Sequence, residues 1–250
     1  MHDFVSFNHR ILPASEINLN ALSSAALYGS GIFTTLAIYD KKPFLWEKHW
    51  RRLGANAAKV GIDLSKFSET AVKNSLAEII NQNKTKNARA RITFFDESPS
   101  KIWAFDAEHK TSLLIQTADL KQIKENLTLT VSPFLINSTS PLAGVKSCNY
   151  LENILALEEA KKRNFDEAIR INERGEIVSA CMANIFWQAG GKLFTPSLAT
   201  GCLAGTTREF FMEKREVFEV KESLETLQNA DAIFLTSAGI GILKRMKDEG

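Results

Sequence analysis

The sequence predicts a mixed α/β protein of two domains, in which helices pack on strands as layers (an α+β arrangement). Segments rich in β-branched and aromatic residues alternate with segments whose apolar residues recur every three or four positions. The 250 residues exceed one average domain of roughly 150 residues. A polar stretch also divides the pattern, so we predict a small N-terminal α/β domain at 1–117, a connection at 118–123 and a larger C-terminal α/β domain at 124–250.

Strands and two helices are predicted in the N-terminal half. The β-branched and aromatic segments predict strands over residues 4–7, 32–39, 88–95 and 112–117. Trp46, Trp50 and Leu53 recur at three- and four-residue steps, which predicts a helix with one apolar face over 45–60. The same spacing predicts a second helix over 65–80.

The C-terminal half is predicted to alternate strands with helices in the same way. Strands or extended segments are predicted over residues 127–134, 166–172, 176–180, 183–189, 192–196, 218–223 and 231–237. Helices are predicted over residues 149–164, 206–218 and 223–230. The helix over 149–164 directly follows a loop that contains Pro, Gly and Lys146.

Charge and composition exclude several classes of protein. The 31 Lys and Arg residues barely exceed the 29 Asp and Glu residues, so we expect no nucleic-acid partner held by phosphate contacts. No apolar run is long enough for a membrane span, and the N-terminus lacks the pattern of a secretory signal. The three cysteines form no framework of paired residues. We therefore expect a cytoplasmic protein without a membrane partner.

Several common catalytic motifs are missing from the sequence. None of the four histidines pairs with another at metal-ligand spacing, so we expect no metal. The sequence also lacks the G-x-S-x-G elbow of serine hydrolases and the phosphate-binding loop of nucleotide hydrolases. Short glycine pairs such as those at 29–31 and 239–241 are more typical of turns than of dinucleotide sites.

Lys146 stands out because of the motifs around it. A single lysine in a loop is by default a surface residue. This one lies in PLAGVKSCNYLENI and is followed by GEIVSACMANIFW, GGKLFTP and the G-x-L-x-G-T-T-R run at 201–208. The N-terminal half adds YGSGIFTT at 28–35 and H-x-x-R-L at 49–53. In their order along the chain, these six motifs resemble the class IV (fold type IV) pyridoxal-phosphate enzymes.

That family includes branched-chain aminotransferase, D-amino-acid aminotransferase and aminodeoxychorismate lyase. The resemblance implies two α/β domains with pyridoxal 5′-phosphate in the cleft between them, and a homodimer that acts on a small-molecule substrate. The motifs F-T-T at 33–35, P-L-A-G-x-K at 141–146, C-M-A-N-I-F-W at 181–187 and T-S-A at 236–238 are similar to those of the lyase. The resemblance thus implies conversion of 4-amino-4-deoxychorismate to 4-aminobenzoate and pyruvate, a step of folate biosynthesis.

The resemblance also implies roles for individual residues. Lys146 would bind the cofactor aldehyde as a Schiff base and then act as the base, with Thr35 as a second catalytic residue. A lysine can do this near neutral pH only if burial or nearby cations lower its pKa. Arg52 would bind the cofactor phosphate, for which a guanidinium group is well suited, although it could instead belong to the solvated face of a helix.

Further cofactor contacts are implied on either side of Lys146. Thr206 and Thr207 open a helix, where backbone N–H groups and a hydroxyl can bind phosphate, or Thr206 could simply cap that helix. Asn149 and Tyr150 follow Lys146 by three and four residues, so they share its helix face if the helix begins there. One of them could then bind the phenolic oxygen of the cofactor, although Tyr150 could equally serve in packing.

The substrate pocket is implied to involve residues of the N-terminal half. Tyr28, Phe33 and Thr35 would line the pocket, and either Arg91 or Lys101 would bind a substrate carboxylate. Two acidic residues of the corresponding family motif are replaced in this sequence by Ser30 and Thr34.

Ser179 departs from the family pattern. The family has a glutamate at this position, where it pairs with the pyridine nitrogen of the cofactor and keeps it protonated. A serine hydroxyl can only form a hydrogen bond there, which weakens the ring as an electron sink. Transamination should suffer more than an elimination that forms an aromatic product. A class IV aminotransferase acting on a D- or branched-chain amino acid, and a protein of this fold without turnover, remain alternatives.

Overall fold

The computed structural model describes residues 1–99, 110–120, 127–239 and 241–246. The chain forms two compact units: Met1–Lys121 with Val145–Asn149, and Gln122–Gly144 with Tyr150–Gly250. The sequence prediction placed residues 145–149 in the C-terminal domain, whereas their backbone pairs with a strand of the first unit. Of the predicted connection over 118–123, residues 121–123 lie outside the described part of the chain.

The first unit contains a sheet of six strands. They are β1 (Phe4–Phe7), β2 (Arg10–Pro13), β3 (Gly31–Tyr39), β4 (Lys42–Pro43), β5 (Ala88–Asp96) and β6 (Thr111–Ala118). The order is β2-β1-β6-β5-β3-β4, and every neighbouring pair is antiparallel. Strand β3 lies between β5 and the short β4, and β4 pairs only with the end of β3.

Helices α1 (Ser24–Tyr28), α2 (Trp46–Val60) and α3 (Glu69–Gln82) complete the first unit. Buried residues of α2 and α3 share one apolar core with Ile32, Leu36 and Ile38 of β3. The side chain of Ser68 caps α3 by accepting a hydrogen bond from the backbone N–H of Ala71. The predicted helices over 45–60 and 65–80 therefore correspond to α2 and α3, although α3 begins four residues later than predicted.

The second unit contains two smaller sheets. Strands β7 (Leu129–Val131), β8 (Glu167–Ile171) and β9 (Ile177–Ala180) form one of them, with β7 parallel and β9 antiparallel to β8. The other has the order β12-β11-β10-β13-β14 and consists of β10 (Asn184–Ala189), β11 (Lys192–Pro196), β12 (Phe218–Val220), β13 (Ala232–Ser237) and β14 (Gly241–Met246).

Three helices accompany these sheets, namely α4 (Leu151–Lys162), α5 (Thr206–Met212) and α6 (Glu225–Gln228). Ala156 and Ala160 of α4 pack on Ala168 of β8. Phe211 of α5 contacts Phe186 and Phe234 through its ring. Within the described ranges, no helix combines the length and the apolar character that crossing a bilayer requires.

Candidate active site

Helix α2 carries both polar side chains of the H-x-x-R-L motif on one face. His49 and Arg52 are three residues apart, so they lie on successive turns of the helix. Trp46 and Leu53 bury the same side of α2 in the core that it shares with β3. The apolar residues of α2 thus determine which face of the helix packs on the sheet, and Arg52 contacts β3 from this helix.

Thr34 of β3 connects His49 and Arg52. The Nη2 atom of Arg52 donates to Thr34 Oγ1 over 2.7 Å, and Thr34 Oγ1 lies 2.6 Å from His49 Nδ1. Thr34 and His49 are both buried. Because a hydroxyl carries no charge, Thr34 orients Arg52 without neutralising its guanidinium group.

The segment that contains Lys146 lies beside β3, with an isolated antiparallel bridge between Ser147 and Ile32. The backbone N–H of Phe33 donates to the carbonyl of Lys146 over 2.9 Å, and that of Cys148 donates to the carbonyl of Gly31 over 2.8 Å. This backbone pairing fixes Lys146 next to the F-T-T motif. The pairing also corrects the prediction that the helix begins at 149, since α4 begins at Leu151, so Lys146 and Asn149 do not share a helix face.

The aromatic ring of Phe33 contacts two cations. The guanidinium carbon of Arg91 lies 3.7 Å from the ring centroid, and Nζ of Lys146 lies 4.6 Å from it. Nε of Arg91 also donates to Thr93 Oγ1 over 3.2 Å. Cation–π contacts hold both side chains near the ring, because its electron-rich face attracts positive charge.

Burial and the neighbouring cations lower the pKa of Lys146 and that of His49. Burial of the ammonium group lowers the pKa of Lys146 from 10.5 to about 7, and the charges of Arg52 and Arg91 act in the same direction. Burial, followed by the charges of Arg52 and Lys146, lowers the pKa of His49 to about 3. Near neutral pH His49 is therefore uncharged, and a substantial fraction of Lys146 is a free amine that can act as a nucleophile or a base.

The remaining site residues of the first unit occupy different surroundings. Thr35 is half-buried and pairs with Arg91 across the ladder of β3 and β5. Tyr28 is the last residue of α1 and is exposed. Asn149 donates from Nδ2 to the carbonyl of Gly29 over 3.1 Å, which ties the Lys146 segment to the end of α1. Lys101, the alternative to Arg91 for the substrate carboxylate, lies outside the described residues.

Thr206 and Thr207 are buried at the start of α5 in the second unit. The helix is capped by Gly205 without a side-chain hydrogen bond, so the alternative role of Thr206 as the cap was wrong. A Cβ atom on Gly205 would lie 1.9 Å from Oδ1 of Asn184. Thr207 Oγ1 is buried and has no hydrogen-bond partner among the described residues, which leaves a hydroxyl for a ligand.

Ser179 lies in β9 of the second unit, and Tyr150 is the residue that precedes α4. Ser179 pairs with Arg170 of β8, and no described residue forms a hydrogen bond with its hydroxyl. Glu176 precedes β9 and accepts hydrogen bonds from Asn172 and Arg174. The predicted site residues thus belong to two groups: Tyr28, Phe33, Thr35, Arg52, Arg91, Lys146 and Asn149 in the first unit, and Tyr150, Ser179, Thr206 and Thr207 in the second.

Sequence reasoning missed three residues that the structure singles out. Thr34 was noted only as a departure from the family motif, and His49 only as part of one. Their spacing does not reveal that Thr34 contacts both His49 and Arg52, because these contacts join a strand to a helix. Arg170 could have been noticed, since it is a charged residue between Ile169 and Ile171 in a predicted strand.

Comparisons with known proteins agree on one family. The model of the family "Amino-transferase class IV" matches residues 31–244. The aminodeoxychorismate lyase of Bacillus subtilis is 28% identical over 97% of this chain and 85% of its own, and the D-alanine aminotransferase of Bacillus licheniformis is 26% identical over 93% and 84%. A branched-chain aminotransferase structure from Thermoproteus uzoniensis superposes with a TM-score of 0.92 at 24% identity, over 100% of this chain and 90% of that one. The predicted fold is confirmed.

Proposed function

The chain belongs to the amino-transferase class IV family, and we propose that it is a pyridoxal-phosphate-dependent lyase. The proposed reaction converts 4-amino-4-deoxychorismate to 4-aminobenzoate and pyruvate, as in folate biosynthesis. The observation that carries the proposal is the side-chain cluster of the first unit, where burial and the charges of Arg52 and Arg91 lower the pKa of Lys146 to about 7 beside Phe33. The 28% identity to a lyase and the lyase-like motifs at 33–35 and 181–187 support the choice of reaction.

The residues present fit pyridoxal 5′-phosphate. Lys146 would supply an amine for its aldehyde, and Arg52, which donates a hydrogen bond to Thr34, would supply a guanidinium for its phosphate. The buried hydroxyl of Thr207, which lacks a partner among the described residues, offers a donor for the same phosphate. Asn149 or Tyr150 is proposed for the phenolic oxygen. When bound, the cofactor supplies an electron-withdrawing ring that stabilises negative charge at the substrate carbon.

The proposed reaction needs a proton removed from the ring carbon that bears the amino group, and the C–O bond on the neighbouring ring carbon broken. The departing enolpyruvate then takes up a proton on its methylene carbon and becomes pyruvate. Lys146 is the proposed base, because a pKa of about 7 lets it take a proton and return one near neutral pH. Thr35 is the proposed second catalytic residue, whose hydroxyl can orient the departing oxygen. Its position opposite Arg91 places it on the same side of the sheet as Phe33.

Binding of the substrate is assigned to the cations and the aromatic ring of the first unit. The substrate carries two carboxylates on a cyclohexadiene ring that becomes flat and aromatic in the product. Arg91 can pair with one carboxylate while its stacking on Phe33 holds the guanidinium in place. Tyr28 is proposed as a further residue of the pocket. The positive charges of Arg52 and Arg91 beside Lys146 therefore favour an acidic substrate.

A class IV aminotransferase acting on a D- or branched-chain amino acid is the second candidate, since the D-alanine aminotransferase is almost as similar as the lyase. Ser179 argues against it, because transamination depends more on a protonated ring. A third possibility is a protein that binds the cofactor without turnover.

One assay separates the three candidates. We would incubate the cofactor-loaded protein with aminodeoxychorismate and no amino acceptor, and measure 4-aminobenzoate and pyruvate. The lyase gives equal amounts of both, and Lys146→Ala gives neither. Amino transfer from D-alanine or leucine to 2-oxoglutarate without aminobenzoate would establish the aminotransferase instead. Activity in neither assay would leave the binding protein.

Assembly and location are part of the same proposal. We expect a homodimer, because Leu151, Ile154 and Leu155 of α4 form an exposed aliphatic stripe of the kind that protein interfaces cover.

We expect a cytoplasmic location, since Cys148, Cys181 and Cys202 are all free thiols, which is typical of a reducing compartment.

A further inference from the structure

A cavity of about 490 Å³ lies within the second unit. It is bounded by the β10–β11 hairpin, the end of α5 and the beginning of β12, together with Phe234 of β13. Pockets that bind small molecules usually have volumes of about 300–1,000 Å³. The cavity therefore has the size of a small-molecule site, and none of its described lining residues belongs to the cluster around Lys146.

The rings of Phe211, Phe218 and Phe234 line the cavity. The ring of Phe211 lies edge-on to that of the buried Phe186, with 5.0 Å between the centroids, and its centroid lies 6.3 Å from that of Phe234. Phe218 is 40% exposed, and its ring centroid lies 5.8 Å from that of Phe194. Aromatic rings attract a further flat ring in stacked or edge-on geometry, so this lining favours an aromatic ligand.

The cations Lys192 and Arg215 lie among the lining residues. Nζ of Lys192 lies 5.6 Å from the centroid of the Phe218 ring. Neither cation forms an ion pair with a residue in the part of the chain that the structure describes. Glu216 also lines the cavity, so the described lining carries one net positive charge. Because no described partner neutralises the two cations, the cavity favours an anion.

The side chain of Gln188 adds an uncharged polar group to the same lining. Gln188 is the partner of Leu193 in the β10–β11 ladder, so both side chains project to one face of the sheet. Within the described chain, no hydrogen bond reaches the side-chain amide of Gln188. An amide can both donate and accept, so it is available to a polar substituent on a ligand.

We propose that this cavity binds an aromatic carboxylate, whose ring packs on Phe211 and Phe218 and whose carboxylate pairs with Lys192 and Arg215. Both kinds of contact are needed, because an aliphatic anion lacks the ring contacts and an uncharged aromatic molecule lacks the charge pairs. The inference goes beyond the proposed function and does not depend on it. 4-Aminobenzoate is an aromatic carboxylate, so the product of the proposed reaction belongs to this ligand class.

Photolabelling tests where such a ligand binds. The cofactor-loaded protein is irradiated with 4-azidobenzoate and digested, and the modified peptides are identified by mass spectrometry. We expect modification within residues 188–194 or 211–218, which contain most of the lining. Arg91→Leu should leave this modification unchanged, because Arg91 belongs to the first unit.

Competition at the labelled residues tests the chemistry of the ligand. The concentration of a competitor that halves this labelling measures its affinity for the cavity alone. We expect benzoate to compete about fivefold or more strongly than cyclohexanecarboxylate, whose ring is not flat, and than benzamide, which is uncharged.

The double variant Lys192→Met/Arg215→Met tests the two cations. It should weaken the binding of 4-azidobenzoate at these residues by about tenfold, as measured from the concentration dependence of labelling. The matched control is Lys214→Met/Lys161→Met, which removes two exposed cations of the same unit that do not line the cavity. Nζ of Lys214 lies 5.8 Å from the ring centroid of Phe210, so Lys214 resembles Lys192 in its aromatic contact. The control should bind as the wild type does.

Phe218→Leu keeps an apolar side chain without a flat ring, and it serves if the double variant does not fold. We expect it to weaken the binding by about threefold or more. Labelling confined to other peptides, equal competition by the three competitors, or equal weakening in the double variant and its control would each overturn the inference. None of these outcomes bears on Lys146, whose reaction with the cofactor is tested separately with borohydride.

Discussion

At the scale of single residues, Thr34 determines how Arg52 is held. Thr34 of β3 accepts a hydrogen bond from Arg52, and it also contacts His49. In the family motif an acidic residue stands at this position, which would neutralise the guanidinium. The threonine keeps the orientation of Arg52 without neutralising its charge, so the site remains more positive than one with a carboxylate.

Thr34→Val tests this contact, because valine has the shape of threonine without its hydroxyl. We expect the variant to lose about 1–3 kcal/mol of unfolding free energy and to bind pyridoxal phosphate more weakly, since Arg52 and His49 both lose a buried partner. Chemical denaturation and a cofactor titration measure the two effects. Ser75→Ala is the control: it removes a buried hydroxyl bonded to His9 and should weaken stability but not cofactor affinity. Equal cofactor affinity in Thr34→Val would contradict the role.

The lowered pKa of Lys146 has a consequence for stability without cofactor. Between pH 7 and 10.5 the unfolded chain holds this proton and the folded chain has lost it. The contribution of Lys146 to the unfolding free energy therefore rises with pH over that window and is constant below it. We expect the stability difference between the wild type and Lys146→Met to grow in favour of the wild type from pH 7 to pH 9. A constant difference would show that the pKa of Lys146 is not lowered.

At the scale of elements, the sequence patterns predicted those helices and strands whose bounds depend on neighbouring residues. Helix α2 occupies Trp46–Val60 where periodicity predicted 45–60, and β3 occupies Gly31–Tyr39 where composition predicted 32–39. The segment at Lys146 differs, because its extended shape comes from backbone hydrogen bonds to β3, more than 100 residues away in the chain. Periodicity carries no information on such a pairing.

The same limit applies to the candidate site. Motif order identified Lys146, Arg52 and Thr207 as candidates, because those residue types suit an aldehyde and a phosphate. Which residues support them was not predictable, since Thr34 contacts Arg52 across a strand and a helix. Strand β14 was also missed, because it is defined by its pairing with β13.

The loop before α5 depends on the absence of a side chain at Gly205. A Cβ atom there would overlap Oδ1 of Asn184, whose Nδ2 donates to the carbonyl of Leu203 over 2.8 Å. We expect Gly205→Ala to lower the unfolding free energy by about 1–3 kcal/mol and to weaken cofactor binding by displacing Thr207. Gly54→Ala in α2 is the control, since no atom lies within 4 Å, and it should raise stability by about 0.5–1 kcal/mol. Unchanged cofactor affinity in Gly205→Ala would contradict the role of this loop.

At the scale of the whole molecule, the proposed homodimer makes a prediction for α4. Leu155 is 47% exposed on the aliphatic stripe that this helix presents. We expect sedimentation equilibrium to give twice the chain mass for the wild type and a shift toward the single chain for Leu155→Glu, because an interface would bury the new charge. Lys161→Glu, which changes an exposed residue of the same helix, should remain dimeric. A monomeric wild type would rule out the dimer.

The proposed function depends on Lys146 as the residue that binds the cofactor. The most direct measurement is to add pyridoxal phosphate, reduce with borohydride, digest the protein and identify the modified peptide by mass spectrometry. We expect one pyridoxyl-phosphate group on Lys146 in the wild type, formed readily near neutral pH because the amine has a pKa of about 7. Modification that is absent, or that falls on other lysines in equal measure and persists in Lys146→Ala, would contradict the central claim.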